Sequence, residues 1–487
     1  MKRTFSLLLV ALLLASATAC GSETTETTPL ETDTTVQETS ETEASGYAAP
    51  ALDLAGDELH ILNFESLWNM YIYIDHEEQT GDALNDLVYS RNRAAEEQFN
   101  CKLVEDTVPY SGWGTGFVEL ADALINDVIA GTNTYDAAYM CVSQRMELIT
   151  KNYLLDLREI DSLQLDGHWW HNKLNDTLQI GGKQYIASGA LNLMPYDGMT
   201  SVFFNKKLHT DYGLDDYYTL VREGKWTLDK LIGDCQAVVT PNSDGTWTYA
   251  EGGDALYGIA SHHDFPAHFL YGSGIEYVTE SGGKYTLTIE SDRMYAAAER
   301  ISDLFDTKTG VSVGDSGGGP ENYETIFGAG RALFMMDELK GGITLRDSDV
   351  DFGLLPAPKF TEDQDGYVTD LTQRTMFFCM PVSNTHAEET GIVIDALTYE
   401  SQQQVLPEFF DGYLAHKGLR DEDSYEMLQI MSDSMCMDVG VVYGWCMDLV
   451  GKMNASIIGR SPLASLIQSN KEAINTTTAE FIDTYMK

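Results

Sequence analysis

An α/β protein with a mostly parallel sheet is the fold class this sequence predicts, on three observations. Apolar runs of strand length alternate with amphipathic runs of helix length, the pattern that builds β-α-β units. The 487 residues are enough for two or three domains. The composition, 43 % hydrophobic and 10 % aromatic, supports a large core. It also excludes a chain disordered throughout, because such chains are poor in aromatics.

Glu58–Phe64 reads as the first strand. From Asp82 to Asn100 the residues Ala83, Leu87, Ala94, Ala95 and Phe99 fall at helical spacing. Cys101–Val104 then reads as a second strand, and Phe117–Ala130 as an amphipathic helix stopped by Gly131. Tyr135–Met140 reads as a third strand. Further on, residues 326–336 read as helix running into strand, and Val350–Leu355 as another strand. No repeat of fixed period interrupts the alternation.

Before this body comes an address. Met1-Lys2-Arg3 is a positive start and Phe5–Leu14 an apolar run too short to span a bilayer. Small residues then lead to Cys20. The arrangement resembles the bacterial lipobox, with Ala17 where Leu is usual, and implies cleavage before Cys20 and acylation of that residue. Several acyl chains give stable anchoring to the outer face of the cell membrane. Residues 21–57 hold nine acids and no Lys or Arg, and read as a solvated Thr/Glu-rich tether.

The formal net charge is −46, from 30 Lys+Arg and 76 Asp+Glu. Setting aside the leader's two basic residues and the tether's nine acids leaves 28 basic against 67 acidic residues, or −39, in the body. Nucleic acid is excluded as a partner, since its phosphates would be repelled. An anionic membrane surface would repel the body too, so lipid and not charge must hold it there. By charge alone, a neutral or cationic ligand fits best. The cysteines beyond Cys20 show no C-x-x-C or zinc spacing and read as small buried hydrophobes.

Several short strings, in this order and spacing, resemble one family. They are Asn85-Asp86-Leu87-Val88-Tyr89-Ser90-Arg91-Asn92-Arg93 with Glu96-Glu97, Leu154-Leu155-Asp156-Leu157, His168-Trp169-Trp170 and Gly182-Lys183-Gln184-Tyr185. Phe203-Phe204-Asn205-Lys206, Gly224-Lys225-Trp226-Thr227-Leu228-Asp229-Lys230, Asp351-Phe352-Gly353-Leu354-Leu355-Pro356 and Arg420-Asp421-Glu422-Asp423-Ser424 with Glu426-Met427-Leu428 follow. Together they resemble the clostridial type of extracellular solute-binding protein family 1, the lipoprotein receptors of ABC importers for sugars. The resemblance covers most of residues 58–487. It implies a periplasmic-binding-protein-like fold of two α/β lobes, joined by hinge crossings around a ligand cleft. Lobe one would hold residues 58–198 and 376–412, lobe two 199–375 and 413–487. It further implies a monomeric, non-catalytic receptor that closes on a carbohydrate, expected to be a neutral oligosaccharide, and presents it to the permease subunits.

Other motifs carry less. Gly314-Asp315-Ser316-Gly317-Gly318-Gly319-Pro320 nearly copies the string around a trypsin-like nucleophile. It has one Gly too many and no histidine segment upstream to serve as base, so it reads as a glycine loop. Gly112-Trp113-Gly114-Thr115-Gly116 lacks the helix-borne Lys-Ser/Thr of a phosphate loop and reads as a turn presenting Trp113. Pro241–Trp247 with Glu251 resembles a degenerate calcium loop, with Thr240 in place of the first aspartate. Ca²⁺ is the one cofactor the sequence suggests, with Asn242, Asp244 and Glu251 as candidate ligands. His262-His263 and His168/His171 are the only close histidine groupings and read as structural or surface residues.

A sugar offers apolar C–H faces and a ring of hydroxyls, so its cleft needs aromatic platforms with amides, carboxylates and arginine around them. In open α/β sheets the ligand crevice borders the carboxyl ends of the strands. That rule selects Trp68 after the first strand, Tyr139, Gln144 and Arg145 around the end of the third, and Asp197 near the first crossing. Trp113 joins them from its turn, Phe265, His268, Asp337 and Arg374 from lobe two, and Trp445 from a helix end. Trp226, Trp169 and Trp170 read as packing. Two other classes remain open: a surface glycoside hydrolase, which needs a pair of carboxylates across one bond, and a non-catalytic adhesion or scaffold lipoprotein.

Overall fold

Glu58–Phe64 is the centre of the first of two main sheets. Leu59, Ile61, Leu62 and Phe64 are all buried, as expected of a strand covered on both faces by helices. It pairs in parallel with Lys102–Val108 and with Ala137–Met140. Phe377–Cys379 closes the edge, antiparallel to Ala137–Met140. The computed structural model describes residues 47–314, 322–345, 348–414 and 422–486. The leader, Cys20, the tether up to residue 46 and positions 315–320 of the glycine-rich string lie outside them. The chain divides after Tyr47 into two compact units, and both main sheets belong to the one from Ala48 onward.

The second sheet has the order Phe352–Pro356, Thr200–Asn205, Ala332–Glu338, Tyr257–Ser261, Ser312–Val313. It is mixed. Thr200–Asn205 runs antiparallel to both neighbours, pairing Ser201 with Asp337, while Tyr257–Ser261 runs parallel to Ala332–Glu338. The expected elements therefore exist, with shifted ends. The second strand extends to Val108, and the run from 326 divides into a helix at Tyr323–Gly328 and a strand at Ala332–Glu338.

Local chemistry fixes the helix ends. Asp82 accepts from the Asn85 amide at 3.0 Å and so caps Ala83–Phe99, which stops at Asn100 in the left-handed region, φ 48°. Thr227 caps Leu228–Val238 in the same way. The preceding Trp226 is fully buried against Tyr217 and Phe334 and donates to the Pro356 carbonyl at 2.9 Å.

Between the sheets the chain crosses at residues 197–200 and returns at 370–377. The two crossings lie side by side. Met199 bridges Leu371, and Thr372 N donates to the Gly198 carbonyl at 2.9 Å. Leu339 N and Lys340 N donate to the carbonyls of Met199 and Asp197 at 2.8 and 3.1 Å. The end of the Ala332–Glu338 strand is thus fastened to the first crossing. The last helix, Leu463–Tyr485, packs on the hairpin Val278–Leu287, and its end reaches the 181–185 turn, where Tyr485 donates to the Lys183 carbonyl at 2.9 Å.

His171 is mostly enclosed, held between Ser188 Oγ (2.9 Å) and the Tyr196 hydroxyl. Burial pushes its pKa down from 6.5 to about 4. The unfolded chain therefore binds more protons between these values. The contribution is fully present above pH 6.5 and is lost as pH falls towards 4. His171→Gln should flatten that slope. The parent is expected to lose about 2 kcal/mol more than the variant between pH 7.5 and 4.5, read from urea midpoints.

Candidate functional site

The segment that leaves the first strand makes a tight turn, Met70 N to Leu67 O at 2.8 Å, with Trp68 and Asn69 both in the left-handed region at φ 50° and 59°. Such a backbone is strained for non-glycine residues. Here it turns the indole of Trp68 onto a ring cluster. Trp113, Phe117 and Tyr110 lie 5.6, 5.5 and 5.7 Å away, centroid to centroid. Tyr110 follows the second strand, and Phe117 opens the helix Gly116–Ala130. Gly116 is required there, since a Cβ would stand 2.5 Å from the Tyr110 ring. The Gly112–Gly116 stretch is a turn closed by Thr115 N and Gly116 N on the Gly112 carbonyl, and it leaves Trp113 62 % exposed.

Arg374 comes to this cluster from the returning crossing. Its guanidinium carbon lies 3.8 Å from the Trp113 ring centroid and 5.8 Å from that of Phe117. Burial lowers its pKa.

The end of the second sheet supplies a buried polar group. Asp337, near the end of its strand, is 3 % exposed. Its Oδ1 accepts from Glu338 N at 2.8 Å, and the Tyr323 hydroxyl is its side-chain partner. Burial, then the charges of Glu338 and Glu324, raise its pKa well above the usual carboxylate range. Gly341 makes room for it, because a Cβ there would stand 2.2 Å from Oδ2. Lys340 pairs with Glu338 at 3.3 Å and reaches the Trp68 carbonyl at 3.5 Å. His268 is buried between Asp370 (2.9 Å) and Thr200 (3.2 Å). Burial opposes its protonation, but the hydrogen bond and charge of Asp370 outweigh that and raise its pKa. The Phe265 ring lies 5.1 Å from His268, and His262 faces Tyr323 at 6.3 Å.

Of the residues selected from sequence, Trp68, Trp113 and Arg374 meet at one place, and Asp197 is fully buried beside the crossing. The Asp197 carboxylate accepts from Tyr71 N and so ties the loop after Trp68 to the crossing. Phe265, His268 and Asp337 lie with the second sheet and are buried. Tyr139, Gln144, Arg145 and Trp445 are not brought there. Tyr139 is 3 % exposed with its ring against Phe378 in the core of the first sheet. Arg145 is drawn to Asp122 (2.7 Å) and Glu147 (3.5 Å), and Gln144 Nε2 donates to Ser143 Oγ. Trp445 is 5 % exposed, packed among Tyr443, Phe481 and Tyr285. The 242–254 loop is held by its own bonds. Asn242 Oδ1 accepts from Asp254 N and Ala255 N, and Asp244 Oδ1 from Thr246 N. Its oxygens serve as turn acceptors, and Glu251 makes no hydrogen bond with them. Sequence reasoning missed Tyr110, Phe117, Tyr323 and Lys340. The strand-end rule would have found Tyr110, two residues past Val108.

Two sheets joined by paired crossings, with an aromatic cluster where the first meets them, define a two-lobed α/β fold of the periplasmic-binding-protein type. The family model of bacterial extracellular solute-binding proteins matches residues 85–377, and the chain belongs to that family. No curated protein sequence matches it. Solved structures with the same fold include the galacto-N-biose/lacto-N-biose I-binding protein of the Bifidobacterium longum ABC transporter, with lacto-N-biose bound. It is 13 % identical, with TM-score 0.57 over 90 % of this chain and 99 % of that one. A cyclo/maltodextrin-binding protein with maltotetraose gives 13 % identity and TM-score 0.54 over 89 % and 98 %. An ABC substrate-binding protein of Listeria monocytogenes with cycloalternan gives 14 % and 0.53 over 87 % and 99 %.

Proposed function

We propose that this chain is the extracellular receptor of an ABC importer, that it binds a carbohydrate between its lobes, and that it delivers it to the permease. The observation that carries the reading is the Trp68–Trp113 ring pair at the end of the first sheet, with Lys340 reaching from the end of the Ala332–Glu338 strand to the Trp68 carbonyl. Stacking rings for its C–H faces, with polar side chains beside them, are what a sugar requires. The mechanism is binding and hinge closure without bond breaking. Only a ligand that touches both lobes has the differential affinity that shifts the open–closed equilibrium. Acylation of Cys20 would keep the receptor at the membrane.

A calorimetric and thermal-shift titration against mono- and oligosaccharides tests this. The cognate glycan at one hundred times its Kd should stabilise the chain by about 2.7 kcal/mol. A broad panel with no shift would overturn the sugar assignment. Turnover of a bound glycan would replace it with the hydrolase reading.

A further inference from the structure

Arg374 differs from every other arginine among the described residues. Each of the others donates a hydrogen bond to at least one oxygen. Arg374 donates to none. Its guanidinium carbon lies 3.8 Å over the Trp113 ring, and its Nη1 is enclosed without an acceptor. Asp264, Tyr110 and Cys141 act on it only through space, and Asp264 lies beyond ion-pair distance. This is unexpected in a body with 67 acids for 28 bases, where carboxylates are plentiful. The segment that carries it is fixed at both ends, by Thr372 on Gly198 and by the Phe377–Met140 strand pairing.

A half-buried guanidinium has lost part of its hydration, and the ring beneath it returns only part of that loss. Its planar fork matches a group with two coplanar acceptor oxygens, which a carboxylate supplies together with the balancing charge. A vicinal diol supplies the acceptors and leaves the charge unbalanced. The body's negative charge opposes an anion at long range, but at physiological salt that field fades within about 8 Å, and the guanidinium acts at contact.

We propose that Arg374, laid on Trp113 with no protein acceptor of its own, receives a carboxylate of the ligand, so that the solute is an acidic, uronate-bearing saccharide. This rests on the carbohydrate reading above and replaces the neutral glycan that net charge alone favours.

The test titrates the full chain with glucuronate, galacturonate and mannuronate oligosaccharides and with the matching neutral sugars. A uronate oligomer should bind at least ~30-fold more tightly than its neutral counterpart, the scale of charge-assisted hydrogen bonds. Its affinity should fall with added salt. Arg374→Gln should abolish that preference, and Arg374→Lys, which keeps the charge without the fork, should restore only part of it. Equal binding of neutral and acidic members, unchanged in preference by Arg374→Gln, overturns the acidic ligand and leaves the sugar reading standing. Binding of neither set overturns both.

Discussion

Trp68→Ala is expected to weaken the cognate glycan by ~30-fold or more while the chain stays folded, the magnitude typical of a buried aromatic anchor at a binding interface. The ring is half-buried and holds the other platform ring, Trp113, at 5.6 Å. Removing it takes away one stacking face and loosens the second. The fold should survive, because the Trp68 carbonyl contact to Lys340 belongs to the backbone and Leu67 and Met70 remain buried around the turn. Trp68→Phe, which keeps an aromatic face, should recover most of the affinity. Calorimetry on the three proteins decides, with circular dichroism to show that each is folded. A Trp68→Ala protein that binds within two-fold of the parent would remove this ring from the site.

The platform was legible because strand ends are legible. The apolar run Glu58–Phe64 announces a strand, and Trp68 follows within four residues of its end, where the strand-end rule places a ligand crevice. The same rule misplaces Tyr139 because it lies inside the strand, not past it. There, alternation decides the facing, and the ring packs on Phe378. Arg145 is past the strand, but Asp122, one helix earlier, captures it. Ion pairs of that kind depend on how a helix lies on a sheet, which local sequence does not encode. Tyr323 and Lys340 escaped notice for a related reason. They acquire meaning only when the Ala332–Glu338 strand is registered against Thr200–Asn205 and its end is fastened to the crossing.

Arg374 was selected from sequence without its reason. Its interest comes from what it lacks, a partner, and a missing partner is invisible until the neighbours are placed. The net charge was legible and pointed to a neutral ligand. Local geometry and global charge speak at different ranges, and at contact distance the unpaired guanidinium is the stronger term.

Asp395→Ala should produce the largest loss of stability, about 3–5 kcal/mol. Asp395 is fully buried on the helix Ala387–Glu400, and its Oδ1 accepts from Trp169 Nε1 at 2.9 Å, Trp170 Nε1 at 2.7 Å and Gln164 N at 3.2 Å. Trp169 and Trp170 are 5 % and 3 % exposed, so their N–H groups have no water to turn to once the carboxylate is gone. Each orphaned buried donor costs about 1–3 kcal/mol, and the cavity left by the carboxylate adds to it. Asp395→Asn keeps one acceptor oxygen and loses only the charge assistance, so it should lose about half as much. Denaturant midpoints at constant slope measure both variants. The packing role of the two tryptophans was readable from their place in the sequence. Their shared acceptor lies more than two hundred residues further on, and only the fold makes it the reason they are there. If the alanine and asparagine variants unfold at the same denaturant concentration, the indole bonds are not what holds this helix to the first lobe.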